Sequence, residues 1–162
     1  MQKFWIGLLI GTILGIILCV SRHTALEREK AQIELDSVTV RLHQPEFFLE
    51  DVPTAELVFK ACDYYNIQYA DVVVSQAILE TGNFKSDLCL NQNNLFGLYN
   101  SRRGEFFSFD HWTKSVKAYR DKIQYRYKEG DYYTWLQEIG YAEDSLYILK
   151  LKNIKETYNL QD

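Results

Sequence analysis

The fold of this chain is decided by residues 75–82, which read SQAILETG. The residues that lead into this stretch, Val72 to Ser75, are almost wholly apolar, and Asp71 is placed to cap a helix that begins there. Gly82 can end this helix because glycine adopts a positive φ without strain. A helix that is apolar on most faces is normally buried in a core. We therefore predict a buried central helix with one carboxylate, Glu80, in its last turn.

The position of Glu80 has two interpretations. A buried carboxylate costs free energy unless it is paired or protonated, so burial would raise its pKa, as a general acid working near neutral pH requires. Alternatively, Glu80 is an ordinary surface residue in the last turn of a core helix. Spacing alone leaves both interpretations open.

Composition limits the classes of function. The chain has 162 residues, of which 47% are hydrophobic, enough for one domain with an appendage. The twelve tyrosines are notable because tyrosine and tryptophan can line sugar-binding grooves as well as cores. A net charge of -4 argues against a nucleic-acid partner, which requires a basic surface.

The three cysteines, Cys19, Cys62 and Cys89, match no metal-ligand spacing, and we expect neither a metal nor another cofactor. Cys62 and Cys89 flank the central helix. They could form a disulfide if the domain lies outside the cytoplasm, or remain two buried thiols.

The N-terminal segment differs from the rest of the chain. Residues 4–20 read FWIGLLIGTILGIILCV and carry no charge. The length of this apolar segment is near the lower limit for a membrane span. A cleaved signal peptide and a retained transmembrane helix both fit, and the poor cleavage site favours the anchor. We assign residues 1–21 to this anchor or signal, 22–44 to a charged stalk, and 45–162 to the domain.

Helix and turn signals divide the domain. Thr54 starts a helix to about Tyr65, residues 83–94 read as a loop, and residues 105–109 leave room for one short strand. Three later helices are marked by acidic residues at or before their starts: Asp110, Asp131 and Asp144. The pattern predicts a mainly α fold, a helical globule with a small β lobe.

Four blocks then follow one another along the domain. They are QAILETG (76–82) with SDL (86–88), NNLFG (93–97), FDHW (109–112), and GYA (140–142) continuing to YNL (158–160). In this order they resemble the bacterial glucosaminidase domain, glycoside hydrolase family seventy-three. The resemblance covers residues 46–162.

The resemblance implies an α+β lysozyme-like fold and hydrolysis of the β-1,4 bond after N-acetylglucosamine in peptidoglycan. Glu80 takes the position of the catalytic glutamate and general acid. Tyr141 matches a cleft tyrosine whose hydroxyl can stabilise developing charge. Substrate contacts are implied for four residues of the first two blocks and their flank: Gln76, Asn94, Phe96 and Tyr99.

The sequence departs from the family pattern at the second carboxylate. Family members carry a β-hairpin with an acidic residue between the Phe-Gly block and the next helix, and here that interval is short. Asp110 is explained as a helix cap, which leaves Glu105 as the candidate for the second catalytic role, against the alternative of a solvated loop residue. Without it, the substrate's acetamido oxygen can act as the nucleophile. The family also usually has lysine where Tyr99 stands.

Taken together, the sequence predicts a peptidoglycan hydrolase held in the inner membrane of a bacterial cell, with its catalytic domain facing the periplasm or cell wall. Peptidoglycan strands and the membrane are the expected partners. Two alternatives stay open, a lytic transglycosylase and a non-catalytic module that binds peptidoglycan through a degenerate cleft.

Overall fold

The computed structural model describes residues 20–36, 38–39 and 44–161. The chain divides into two units, residues 1–44 and residues 45–162. In the first unit, helix α1 occupies residues 20–36, all of them exposed, and residues 38–39 are also helical. The ion pair between Lys30 and Glu27, with 3.1 Å between Nζ and Oε1, is typical of a solvated helical surface.

The predicted membrane anchor lies, except for Val20 and Ser21, outside the described residues. Within the described ranges, no helix combines the length and the apolar character that crossing a membrane requires. Anchoring therefore stays a prediction from the sequence.

The second unit is mostly helical. Its α-helices are α2 (Ala55–Tyr64), α3 (Ala70–Thr81), α4 (Asp87–Gln92), α5 (Trp112–Lys122), α6 (Tyr132–Glu138) and α7 (Tyr147–Thr157). Two 3-10 turns cover Glu46–Phe48 and Gln124–Arg126. Strands β1 (Tyr99–Asn100) and β2 (Glu105–Phe106) pair antiparallel, with Tyr99 opposite Phe106. The predicted helical globule with a small β lobe is confirmed.

Helix α3 is the centre of the unit, as the sequence predicts. Ten of its twelve residues are buried, and it packs between α2 and α7. Gly82 ends the helix with a φ of 56°, which confirms the predicted C-terminus.

The predicted cap at Asp71 is wrong. Tyr69, in the left-handed conformation, precedes the first residue of α3, and Asp71 lies within the first turn. Its carboxylate is buried, accepts from the Val72 N–H at 2.8 Å and forms an ion pair with Lys155 of α7. Asp71 therefore forms a tertiary ion pair instead of the helix cap that its place in the sequence predicts.

Two other caps are confirmed. The Thr54 hydroxyl accepts from the Leu57 N–H at 3.2 Å at the start of α2. Asp131 accepts from the Thr134 N–H at 2.8 Å at the start of α6. Such bonds satisfy N–H groups that have no partner within the helix.

Two local predictions are wrong. His111, not Asp110, caps α5, because its ring accepts from the Thr113 N–H at 3.3 Å and also contacts the Glu50 carbonyl at 3.0 Å. The segment 83–94, predicted as a loop, contains α4, which Ser86 caps by accepting from the Cys89 N–H at 3.2 Å.

Cys62 and Cys89 are both buried in the core, and no disulfide joins them to each other. Of the two alternatives left by the sequence, the structure has the buried thiols.

Candidate active site

The C-terminal end of α3 opens onto a groove with a volume of about 490 Å³. Glu80 is the one acidic side chain among the described residues that line it. Its walls come from the segment before β1, the short sheet, the 3-10 turn after α5 and the connection from α6 to α7. The lining includes Phe96, Gly97, Tyr99, Arg126 and Tyr141. We call this the Glu80 groove.

Glu80 is exposed on its groove side and enclosed by protein on the other. Partial desolvation raises the pKa of its carboxyl above the ordinary value, and the hydrogen bond from Tyr147 opposes this rise without cancelling it. The sequence leaves two interpretations of Glu80 open, a buried carboxylate and an ordinary surface residue. The structure instead gives a carboxylate that solvent and substrate can reach, with a raised pKa.

The two carboxylate oxygens have different environments. Tyr147, the first residue of α7, donates its hydroxyl to Oε1 of Glu80 at 2.8 Å. Burial keeps the pKa of Tyr147 well above its usual range, so the hydroxyl stays protonated and remains a donor. A Cβ placed on Gly97, whose φ is +59°, would lie 4.0 Å from Oε2. The second oxygen is thus next to the backbone that lines the groove.

A chain of buried polar side chains continues behind Tyr147. Gln76 Nε2 donates to the Tyr147 hydroxyl at 3.3 Å, and the Tyr119 hydroxyl donates to Gln76 Oε1 at 2.7 Å. Tyr119 and Tyr132 share a hydrogen bond of 2.9 Å, and Gln124 Nε2 donates to Tyr132 at 3.1 Å. Gln76 was expected to touch substrate. It is fully buried beneath the Glu80 groove and does not line it.

Three of the predicted site residues line the groove together with Glu80: Phe96, Tyr99 and Tyr141. Phe96 is mostly buried and packs on Tyr119, with 4.6 Å between ring centroids. Tyr99 is exposed on β1. Burial and the nearby Glu80 raise the pKa of Tyr141 well above its usual range, so its hydroxyl stays protonated. These rings offer flat apolar faces and a hydroxyl donor beside the carboxyl group.

Asn94 lies under the groove, not on its surface. It is almost fully buried, and its Nδ2 donates to the carbonyls of Leu98 and Phe107, both at 2.9 Å. Its Oδ1 accepts from the Leu98 N–H at 2.9 Å. These bonds fix the backbone that carries Phe96 and Gly97, so Asn94 stabilises this loop from below.

Glu105 is not brought to the Glu80 groove. It lies on β2, is exposed, pairs with Arg103 at 3.7 Å, and lines a neighbouring depression with Asn100 and Phe107. The only carboxyl group that the described residues place in the groove is therefore that of Glu80. In the same part of the chain, no cluster of three His, Cys, Asp or Glu side chains could hold a metal ion.

Residues 55–160 match the model of the glucosaminidase family, described as mannosyl-glycoprotein endo-beta-N-acetylglucosaminidase. The chain belongs to the glucosaminidase family. Family membership supports a glycosidase activity and confirms the resemblance found in the four sequence blocks. No curated protein sequence matches the chain significantly.

This glucosaminidase domain is similar in structure to the catalytic domain of the autolysin Auto from Listeria monocytogenes, with a TM-score of 0.51. The two are 23% identical, and the match covers 80% of this chain and 94% of the other. The likeness supports the α-rich lysozyme-like fold.

Sequence reasoning missed two side chains at the Glu80 groove. Tyr147 lies in the fourth matched block, between GYA (140–142) and YNL (158–160). That position was a signal for a role at the site. Arg126 lines the groove from the turn after α5, and no motif or spacing in the sequence indicates this.

Proposed function

We propose that this domain hydrolyses the β-1,4 glycosidic bond that follows N-acetylglucosamine in peptidoglycan, with Glu80 as the general acid. The observation that carries the proposal is the environment of Glu80. Its carboxyl lies in an open, aromatic-lined groove, its pKa is raised by desolvation, and one of its oxygens is held by Tyr147. Family membership and the similarity to an autolysin catalytic domain support the same activity.

The acid step follows from this geometry. Protonated Glu80 gives its proton to the glycosidic oxygen as the bond from that oxygen to the anomeric carbon breaks. Glu80 becomes a carboxylate in this step. The Tyr147 hydroxyl, which stays bonded to Oε1, stabilises the new charge. The raised pKa keeps a larger fraction of Glu80 protonated near neutral pH, and the Tyr147 bond limits how weak an acid it becomes.

The second half of the reaction uses the substrate itself. Since Glu80 is the one carboxyl that the described residues place in the groove, the acetamido oxygen of N-acetylglucosamine attacks the anomeric carbon and forms a cyclic intermediate. Water then adds to the anomeric carbon, and the Glu80 carboxylate takes up the proton that the water loses. The hydroxyl of Tyr141 lines the groove and donates to the Phe96 carbonyl at 3.4 Å, a long bond that it would exchange for one to the reacting sugar.

A lytic transglycosylase is the second candidate, and the single carboxyl in the groove is the observation that favours it. Such an enzyme also needs only one glutamate but leaves a 1,6-anhydromuramic end. A non-catalytic binding module is less favoured, because binding alone does not require a carboxyl group with a raised pKa.

Product analysis separates these functions. The full chain and its Glu80→Gln variant are incubated with purified muropeptide strands, and the products are identified by mass. We expect new reducing N-acetylglucosamine ends from the unmodified chain and none from Glu80→Gln. Anhydro ends would establish the transglycosylase, and binding without any product would establish the module. Equal activity of the variant would remove Glu80 from the mechanism.

We further infer that the domain works in the cell envelope, because peptidoglycan is found there. The apolar run of residues 4–20 is the segment that would hold it at the inner membrane.

A further inference from the structure

The amide of Gln76 is held from both sides within the core. The side chains of Gln76 and Tyr119 are both fully buried. An amide presents an acceptor at its oxygen and only donors at its nitrogen. The Tyr119 hydroxyl occupies Oε1 at 2.7 Å, so Nε2 is the end that faces Tyr147, at 3.3 Å. Tyr147 must accept from this nitrogen, which leaves its hydroxyl hydrogen for Glu80.

The far end of this series of hydrogen bonds is the amide of Gln124, which the backbone of Gln68 orients. Gln124 Nε2 donates to the Gln68 carbonyl at 2.7 Å, and Gln124 Oε1 accepts from the Gln68 N–H at 3.1 Å. The amide of Gln124 therefore has one orientation. Its nitrogen also donates to Tyr132 at 3.1 Å. Because Tyr119 uses its one hydrogen on Gln76 Oε1, the hydrogen in the bond between Tyr132 and Tyr119 comes from Tyr132. The three hydroxyls of this hydrogen-bonded series, those of Tyr132, Tyr119 and Tyr147, thus all donate in the direction of Glu80.

We propose that Gln76 is a positioning residue, which Tyr119 holds in the one orientation that directs the Tyr147 hydroxyl at Oε1 of Glu80. Oε2, the oxygen next to Gly97, is then the one that carries the proton for the substrate. The transfer of this proton to a substrate rests on the proposed function, whereas the direction of the hydrogen bonds does not. The other polar side chains that line the groove around Glu80 are Tyr99, Arg126 and Tyr141.

The variant Tyr119→Phe tests this proposal because it removes the donor that holds Gln76 Oε1. The amide can then turn its oxygen toward Tyr147 and compete for the hydrogen that Glu80 receives. Protonated Glu80 gains an arrangement in which it donates to Tyr147, so the pKa of Glu80 rises. We expect the titration midpoint of Glu80 to move up, in the same direction as in Tyr147→Phe.

The midpoint is read from the side-chain carboxyl carbon of Glu80 by NMR, in the full chain and without turnover. The double variant Tyr119→Phe/Tyr147→Phe should shift it no further than Tyr147→Phe alone, because both changes act through one hydroxyl. The matched control is Tyr127→Phe. Tyr127 is a buried tyrosine whose ring packs on that of Tyr132. Its hydroxyl donates to the Gly130 carbonyl at 2.6 Å and takes no part in the hydrogen-bonded series that leads to Glu80. Its variant should therefore leave the midpoint unchanged.

An unchanged midpoint in Tyr119→Phe, or shifts that add in the double variant, would overturn the proposal. If Tyr119→Phe does not fold, Tyr132→Phe removes the next hydroxyl along and should give a smaller shift in the same direction. Because the readout needs no substrate, a shifted midpoint in a chain that degrades no peptidoglycan would refute the proposed function and leave the positioning role intact.

A different observation concerns the charge beyond Tyr99. The Glu80 groove adjoins a second depression of about 500 Å³, and the two share Leu98, Tyr99 and Ile123 as lining residues. Arg126 lines the first, and Arg102 and Lys122 line the second. We call these three cations the basic arm. Lys122 Nζ lies 4.5 Å from the ring centroid of Phe107, and this cation–π contact holds the ammonium group beside the ring.

The basic arm contrasts with the chain as a whole, which has a net charge of -4. Across the described residues, no salt bridge within 4.0 Å neutralises any of the three cations, and no acidic side chain lines the second depression. A positive surface that continues from a catalytic groove attracts anionic parts of the same substrate.

We infer that the basic arm is a subsite for carboxylates of the acidic stem peptides carried by peptidoglycan, a step that rests on the proposed function. Each exposed ion pair of this kind changes affinity by about two- to fivefold. The arm therefore favours strands that retain their peptides over bare glycan.

The test compares peptide-bearing glycan strands with strands stripped of peptide by an amidase. Replacing Arg102 and Lys122, which line only the second depression, with glutamine should raise KM for the peptide-bearing strands and leave KM for stripped strands and both kcat values unchanged. Arg103→Gln is the matched control, since Arg103 pairs with Glu105 outside the arm. Equal effects on both substrates, or no effect on either, would overturn the subsite. If no strand is cleaved, sedimentation of the chain with each polymer tests the arm separately.

Discussion

The variant Tyr147→Phe removes the hydrogen bond of 2.8 Å that stabilises ionised Glu80. A hydrogen bond to a charged group contributes about 1.5–3 kcal/mol. Since one pKa unit corresponds to about 1.4 kcal/mol, the full effect on the pKa of Glu80 is about one to two units. Glu80 is open to solvent on its groove side, which weakens the interaction, so we expect a rise of about 0.5–1 unit.

The sign of the effect follows from the general-acid role that we propose for Glu80. A general acid works only while it is protonated, so the activity of the unmodified chain falls as the pH rises through the pKa of Glu80. Loss of the Tyr147 hydroxyl raises that pKa and moves this alkaline limb to higher pH.

The assay is the release of reducing ends from peptidoglycan, followed as kcat/KM across the pH range in which the chain stays folded. Tyr127→Phe, which loses a hydroxyl away from the groove, is the control. An alkaline limb that does not move, or that moves to lower pH, would show that Tyr147 does not stabilise the charged form of the catalytic acid.

Three further predictions concern stability and the second carboxylate. Because the folded pKa of Glu80 is raised, its contribution to stability is complete below the unfolded pKa and is lost as the pH rises through the folded pKa. Glu80→Gln should therefore raise the free energy of unfolding at neutral pH by up to about 1 kcal/mol, a gain that disappears in acid, measured by denaturant titration. Asn94→Ala leaves buried backbone groups such as the Leu98 N–H unpaired and should lower that free energy by about 2–4 kcal/mol, while loss below 1 kcal/mol would contradict the loop-fixing role. Glu105→Gln should lower kcat by less than about fivefold, since its side chain is exposed and paired with Arg103, and a loss above a hundredfold would assign it a catalytic role.

Much of the helical fold follows from local sequence signals. Thr54 and Asp131 cap their helices through hydrogen bonds to residues three positions further on, and Gly82 supplies the positive φ that ends α3. These features depend on neighbouring residues, so spacing along the chain is enough to find them.

The failures occur where distant residues compete for a side chain. Asp71 has the right residue type and spacing for a cap, yet it pairs with Lys155, 84 positions away. His111 replaces Asp110 as a cap while its ring also contacts Glu50. Local propensity cannot anticipate such contacts, because they form only when the helices pack.

The same distinction holds at the site. The sequence blocks locate Glu80, Phe96, Tyr99 and Tyr141, which the structure brings to one groove. The bonds that orient Glu80 join residues far apart in the chain, 67 positions for Tyr147 and 71 for the contact between Gln76 and Tyr147. The buried position of Gln76 was therefore not predictable from its place in the motif, and neither was the position of Arg126.

The central claim is that the protein keeps Glu80 protonated at a higher pH than an ordinary glutamate. The most direct test is an NMR titration of the Glu80 carboxyl carbon in the full chain, assigned with the Glu80→Gln variant. We predict a midpoint above the ordinary value of about 4.3. A midpoint at or below that value would contradict the account, because Glu80 would then be ionised wherever the enzyme is expected to work.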